Sequence, residues 1–164
     1  MSQPPDKVTN IVVAGLGGQG VLKASDILVD AIFRAGHDVK KSEVHGMSQR
    51  GGSVCSDIRY GRQVFSPMVP PAEADFLVVL SPDQVAPNQW LLRPSTGTLI
   101  TPDLIDATKL PNKKSLNVAM LGFLSSRLDI PAEIWLQALK ENFAETFFTG
   151  NSQAFELGRQ AGKP

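Results

Sequence analysis

The chain has 164 residues, 42% of them hydrophobic and 20% charged, and its 16 basic and 16 acidic side chains give a formal net charge of zero. That balance argues against the basic footprint of a nucleic-acid binder, and no apolar run approaches the roughly 18 residues of a membrane span. Cys55 is the single cysteine, which excludes an internal disulfide or a cysteine-cluster metal site and fits a reducing cytoplasm.

Residues 1–9 are polar, contain two prolines, lack the apolar segment of a signal peptide and are expected to form a flexible lead. Residues 10–164 then read as a single domain. The apolar run Ile11 to Ala14 predicts a strand. Four glycines follow within six positions, Gly15, Gly17, Gly18 and Gly20, and a helical pattern starts at once. Gly15 suits a sharp turn out of the strand. Gly17 and Gly18 leave the backbone open to close approach, and Gly20 lets the helix pack on the strand. Free N–H groups at the helix start favour an anion. The same string is also compatible with a compact connection that binds nothing.

The helix is predicted from Gln19 to Ala35, with Ala24, Leu28, Ala31 and Ile32 on its inner face and Gly36 as its stop. Residues 37–45 read as a second strand. Residues 46–53 form a second small-residue loop, and the alternation of Val54, Ser56, Ile58 and Tyr60 marks another strand. Gln63 to Ser66 read as a short hairpin partner, and the prolines at 67, 70 and 71 make an extended crossing. Phe76 to Leu80 reads as a buried parallel strand. Ser81-Pro82-Asp83 opens a helix by N-cap chemistry that reaches about Leu92. Residues 97–101 are a further strand, and 102–115 give no clear signal. An apolar helix covers 116–128. From Pro131 an amphipathic helix carries Trp135, Leu139, Phe143 and Phe147 as a stripe, Gly150 ends it, and Asn151 caps a last short helix. Alternating strands and helices imply an α/β fold: a single Rossmann-like domain, its sheet mainly parallel with helices on both faces.

Both glycine-rich loops would then emerge at the carboxyl edge of the sheet, where ligands bind. Arg50, Lys40 and Lys41 are expected near that edge, either to meet phosphate or as solvated surface residues. His45 fits a structural role better than a general base, since no partner is placed beside it. His37 reads as surface, and Cys55 as a small buried strand residue rather than a nucleophile. Ser25, Asp26 and Asp30 suggest no triad. The late aromatics Trp135, Phe143, Phe147 and Phe148 read as core, with a subunit contact as the alternative.

Taken in order, Gly15-Leu-Gly-Gly-Gln-Gly20, HGMSQRGGSV, FSPMVPPAEADFLVVL, LNVAMLGFL and NSQAFELG resemble the gamma-type subunits of the 2-oxoacid:ferredoxin oxidoreductases. Within that family the chain looks most like the small subunits of indolepyruvate oxidoreductase-like enzymes, over nearly all of its length after residue 9. The resemblance implies oxidative decarboxylation of a 2-oxoacid to an acyl-CoA, with electrons passed to ferredoxin or another acceptor. It implies that thiamine diphosphate and iron–sulfur clusters sit on partner subunits, that this chain binds no cofactor alone, and that it covers the active site and contacts coenzyme A. Gly17, Gly18, Gln19, Gly20, Ser48, Gln49, Arg50 and Gly51 are the contacts so implied. The chain departs from its relatives at residues 102–115, where they carry a longer excursion. Either the sheet lacks a strand there or a partner supplies one. Two other readings stay open: a non-catalytic scaffold, and a nicotinamide-dependent dehydrogenase with Glu43 binding a ribose.

Overall fold

The computed structural model describes residues 7–45 and 52–164. Five strands form one sheet: β1 (Thr9–Leu16), β2 (Asp38–His45), β3 (Ser53–Gly61), β4 (Phe76–Val79) and β5 (Thr98–Ile100), in the order β2-β3-β1-β4-β5. The helices are α1 (Val21–Arg34), the single turn α2 (Val85–Asn88), α3 (Leu116–Ser125), α4 (Ala132–Asn142) and α5 (Glu145–Gly162).

The fold is α/β, as the alternation implies. β1 pairs in parallel with β4, and β4 with β5, while β3 runs antiparallel to both β1 and β2. Four strands therefore share one direction and β3 opposes them. The reversal follows from chain length: parallel neighbours need a crossover of about a dozen residues or more, and residues 46–52 are too few. β2 and β3 pair antiparallel instead, and β3 lies between β1 and β2.

The two faces of the sheet are covered unequally. Ile11, Val13, Ile58, Val78 and Ile100 point into the main core with α1, α3, α4 and α5. Val12, Leu77 and Val79 point the other way and meet Val69, Ala74 and Leu91 from the short segments that cross that face. α3 is buried from Asn117 through Ser125; a helix apolar all round belongs inside. It touches α5 backbone to backbone, so a Cβ added at Gly158 would stand 1.6 Å from the Ala119 carbonyl oxygen.

Several local expectations change. Residues 63–66 form no strand. They begin a strap pinned by Val64 N–H to Asp38 Oδ2 at 2.7 Å, Arg59 Nη1 to the Ser66 carbonyl at 2.9 Å and Val69 N–H to Asp57 Oδ2 at 2.9 Å. Residues 82–91 are not one helix but a 3₁₀ turn, α2 and a second 3₁₀ turn. Pro87 supplies no N–H to continue the ladder, and the Ser81 hydroxyl donates to Asp83 Oδ1 rather than capping. Residues 102–115 hold three 3₁₀ turns. The late helix breaks at Phe143 and Ala144, both extended, and α5 runs through Gly150. An interior glycine costs about 1 kcal/mol, which the α3–α5 packing outweighs. Asn151 therefore lies inside α5 and donates to the Phe147 carbonyl at 2.9 Å. Trp135 and Leu139 are fully buried, but Phe147 is 64% exposed.

Candidate functional site

The turn from β1 into α1 is held by Gln19. Its Oε1 accepts the Leu16 N–H at 2.7 Å, and its own N–H donates to the Leu16 carbonyl at 3.1 Å. Gly18 and Gly20 have φ of 86° and 83°, the left-handed region, so both need glycine for the turn itself. They differ in what surrounds them. Among the described residues nothing lies within 4 Å of a Cβ built at Gly18, whereas one built at Gly20 would stand 2.3 Å from Asn117 Nδ2. Gly20 thus packs on α3, and Gly18 opens to space. Gly15 is a β1 residue packed under Gln19 and Val21, rather than the turn out of the strand.

Gly17 N–H donates to the Gly52 carbonyl at 2.9 Å. The first loop therefore meets the end of the second at the carboxyl edge of β1. Ser48, Gln49, Arg50 and Gly51 lie outside the described residues, while Gly17, Gly18, Gln19 and Gly20 surround the turn.

Two clefts flank it. One, of about 430 Å³, is lined by Gly18, Gln19, Gly20, Leu80, Lys113, Lys114, Leu116 and Asn117. The other, of about 390 Å³, lies between the turn, the first turn of α1 and Val54. The α1 N-terminus has neither a side-chain cap nor an acidic residue in its first turn, so among the described residues its first N–H groups have no side-chain acceptor. Sequence reasoning missed Lys113, Lys114 and Asn117. The available signal was a lone asparagine in an apolar helix, preceded by two lysines.

Lys40 and Lys41 are not at this edge. Their register partners are Arg59 and Ile58, and through them Asn10 and Ile11 at the start of β1. Lys40 pairs with Asp38 at 3.5 Å, and Lys41 with Asp26 and with Glu43 at 2.6 Å. Burial opposes the Lys41 charge, but the contacts with Asp26 and Glu43 outweigh it and raise its pKa. Glu43 lies two strand spacings from β1, about 10 Å, because β3 intervenes. The adjacent ribose contact of the dehydrogenase reading has no counterpart there. His37 is half-buried, its ring 5.2 Å from that of Tyr60, rather than free at the surface. Burial first and the Asp57 carboxylate second push the Cys55 thiol up to about 12, as suits an unreactive strand cysteine.

A larger cleft of about 630 Å³ opens at the opposite edge, by Tyr60, Phe76 and Thr98. There Arg93 Nε and Asp75 Oδ1 already meet at 3.3 Å, and Arg93 also donates to the Glu73 carbonyl. Among the described residues no group of three or more His, Cys, Asp or Glu is placed to hold a metal ion, and no helix is long and apolar enough to cross a membrane.

Comparison with known proteins agrees with this architecture. Residues 10–111 match the family model described as pyruvate ferredoxin/flavodoxin oxidoreductase. The indolepyruvate oxidoreductase subunit IorB of Thermococcus kodakarensis is 49% identical over 196 aligned positions, covering 96% of this chain and 97% of that protein. The alignment is longer than the 164-residue chain, so it opens gaps in it. In fold, the chain resembles the gamma subunit of a keto/oxoacid ferredoxin oxidoreductase from Geobacter sulfurreducens, with a TM-score of 0.72 at 20% identity over 94% of this chain and 98% of that one. It also resembles 31% of a 2-oxoglutarate:ferredoxin oxidoreductase chain from Magnetococcus marinus, with 96% of this chain covered, a TM-score of 0.82 and 19% identity. The chain therefore belongs to the pyruvate ferredoxin/flavodoxin oxidoreductase family.

Proposed function

We propose that this chain is the small subunit of a complex that oxidatively decarboxylates a 2-oxoacid to its acyl-CoA and passes the electrons to ferredoxin or another acceptor. The name of the Thermococcus relative favours an aryl substrate such as indolepyruvate. The chain acts by covering the active site and contacting coenzyme A, while partner subunits carry thiamine diphosphate and the iron–sulfur clusters. Cys55 alone does not fit a cluster, which takes about four thiolates. Coenzyme A does fit: its phosphates are anions, and the glycine turn offers open backbone and helix N–H groups.

The observation that carries this reading is the hydrogen bond from Gly17 to the Gly52 carbonyl. It joins the first loop to Gly52, where the second glycine-rich string ends in the sequence, and so supports a ligand over Gly18 that also meets Arg50. A guanidinium there can meet two phosphate oxygens at once. The test is Arg50→Ala in the purified complex. The Michaelis constant for coenzyme A is expected to rise about ten- to a hundredfold, the equivalent of a charge-assisted contact, with the 2-oxoacid constant nearly unchanged and Arg50→Lys intermediate. A complex that assembles normally with an unaltered coenzyme A constant overturns the contact. Weaker assembly with normal constants favours a scaffold role instead.

A further inference from the structure

β2 is an edge strand. It pairs with β3 along all 8 of its residues in an uninterrupted register, and no described strand pairs with its outer side. It contains no proline, glycine or bulge to keep the edge from recruiting another strand. The opposite edge, β5, is only 3 residues long. β2 does carry Lys40 and Lys41, and edge lysines commonly guard against an incoming strand. Lys41, however, is turned back onto its own sheet, where it meets Asp26 and Glu43, and its side chain is 21% exposed. Whether the edge accepts a strand therefore depends on what would stand opposite each charge.

Symmetry limits the choices for a second copy of the same strand. Two identical strands pair antiparallel about a two-fold axis normal to the sheet, so one residue lies opposite itself, and directly opposite residues share a face. Lys41 is level with Ile58, which points into the main core. Lys41 and Glu43 therefore lie on that face, and Lys40, Ser42 and Val44 on the other. A register centred on Lys40, Lys41 or Glu43 sets like charges directly against each other, which is destabilising. Registers centred nearer either end leave much of the strand unpaired. Centred on Ser42, the pairing sets Lys41 opposite Glu43 twice, and Lys40 opposite Val44, whose side chain is 59% exposed. The charge pattern of β2 is thus complementary to itself in this register.

We infer that a second copy of this chain docks on β2: the two strands pair antiparallel about Ser42, with reciprocal Lys41–Glu43 contacts, and the two five-stranded sheets become one. β2 runs parallel to β1, since β3 opposes both. The two-fold axis turns the second sheet end for end, so the two glycine turns lie at opposite edges of the joined sheet. Pairing leaves both turns open, and it does not depend on the coenzyme A reading.

Cysteine cross-linking tests it, in the full chain and in the assembled complex, by mild oxidation read on a non-reducing gel. Ser42→Cys should link to its own copy, because opposite Cα atoms in an antiparallel pair stand about 4.5–5.5 Å apart, within disulfide reach. Lys40→Cys and Val44→Cys would each lie about 14 Å along the strand from their own copy. They should link only when the two variants are mixed. The wild type, with Cys55 alone, should give no linked band. In the Ser42→Cys background, Glu43→Lys should slow linking roughly tenfold, since two opposite-charge pairs become two like pairs. Lys41→Glu/Glu43→Lys should restore the rate to within about threefold. Circular dichroism checks that each variant folds, and sedimentation equilibrium of the wild-type chain should give the mass of two chains. A single-chain mass at every concentration overturns the inference, as does a Ser42→Cys chain that links no faster than Lys40→Cys or Val44→Cys. So does an unchanged rate with Glu43→Lys. Linking in the free chain but not in the complex overturns it for the assembled protein and gives the β2 edge to a different subunit.

Discussion

Asn117 on α3 donates from Nδ2 to the carbonyl of Gly20, 97 residues earlier, at 3.1 Å. Gly20 is the residue from which α1 starts, with φ of 83°. One side chain thus ties the central helix to the turn at the candidate site. Gly20→Ala would combine a left-handed alanine with a Cβ 2.3 Å from Asn117 Nδ2. Strained backbone of this kind costs about 1–3 kcal/mol, and displacing Asn117 adds the loss of a buried hydrogen bond. The expected result is a urea midpoint well below wild type. A wild-type midpoint would mean that the turn does not depend on this contact.

Gly18→Val separates conformation from space. Its Cβ would meet nothing within 4 Å among the described residues, so a steric effect points to a group beyond them. The left-handed φ of 86° makes a branched residue costly, about 1–3 kcal/mol, and Gly18→Asn controls for that because asparagine tolerates this region. The valine variant is expected to fold and assemble but to lose most turnover in the complex. Normal turnover by an intact valine complex would show that nothing approaches Gly18 closely.

The α3–α5 interface predicts a purely structural effect. Gly158→Ala would place a methyl 1.6 Å from the Ala119 carbonyl oxygen. The helices must then separate, and overpacking of this sort costs typically 1–3 kcal/mol, occasionally more. Thermal melting should fall by several degrees or more. Retention of the wild-type melting temperature would contradict such close backbone contact.

Cys55 gives a pH prediction with a definite sign. Its folded-state pKa is raised from 9.0 to about 12 by burial and by Asp57. The folded chain therefore holds the thiol proton more tightly than the unfolded chain. This contribution to stability is fully present below pH 9 and is lost as pH rises through about 12. At pH 8 the folded thiol should react with an aromatic disulfide roughly a thousandfold more slowly than the denatured thiol. Comparable rates in native buffer and in denaturant would refute the shielding.

Much of the local structure is legible in the sequence because its causes are local. The run Ile11 to Ala14 is apolar on both faces, the alternation at Val54 to Tyr60 has period two, and Ala24 to Ile32 repeat at helical spacing; β1, β3 and α1 appear there. The glycines that shape the first turn are also visible, since a left-handed φ selects for glycine wherever it occurs. Family membership follows from the same strings.

Tertiary structure decided what local rules leave undetermined. The direction of β3 depends on a connection too short to cross over, and the register of β2, which runs with β1, sets Lys40 and Lys41 level with Asn10 and Ile11, toward the far end of the sheet. Gly150 reads as a helix stop, yet α5 continues because Gly158 and Gly122 let it seat on α3. Lys113, Lys114 and Asn117 carry no motif. They meet Gly18 and Gly20 only because α3 packs beneath the start of α1, and a contact spanning 97 residues leaves no trace in local spacing. The sequence by itself determined the elements and the turn, whose energies are settled within a few residues. The packing of α3 and the pairing of β3 determined which side chains share the cleft, because those energies arise only between segments far apart in the chain.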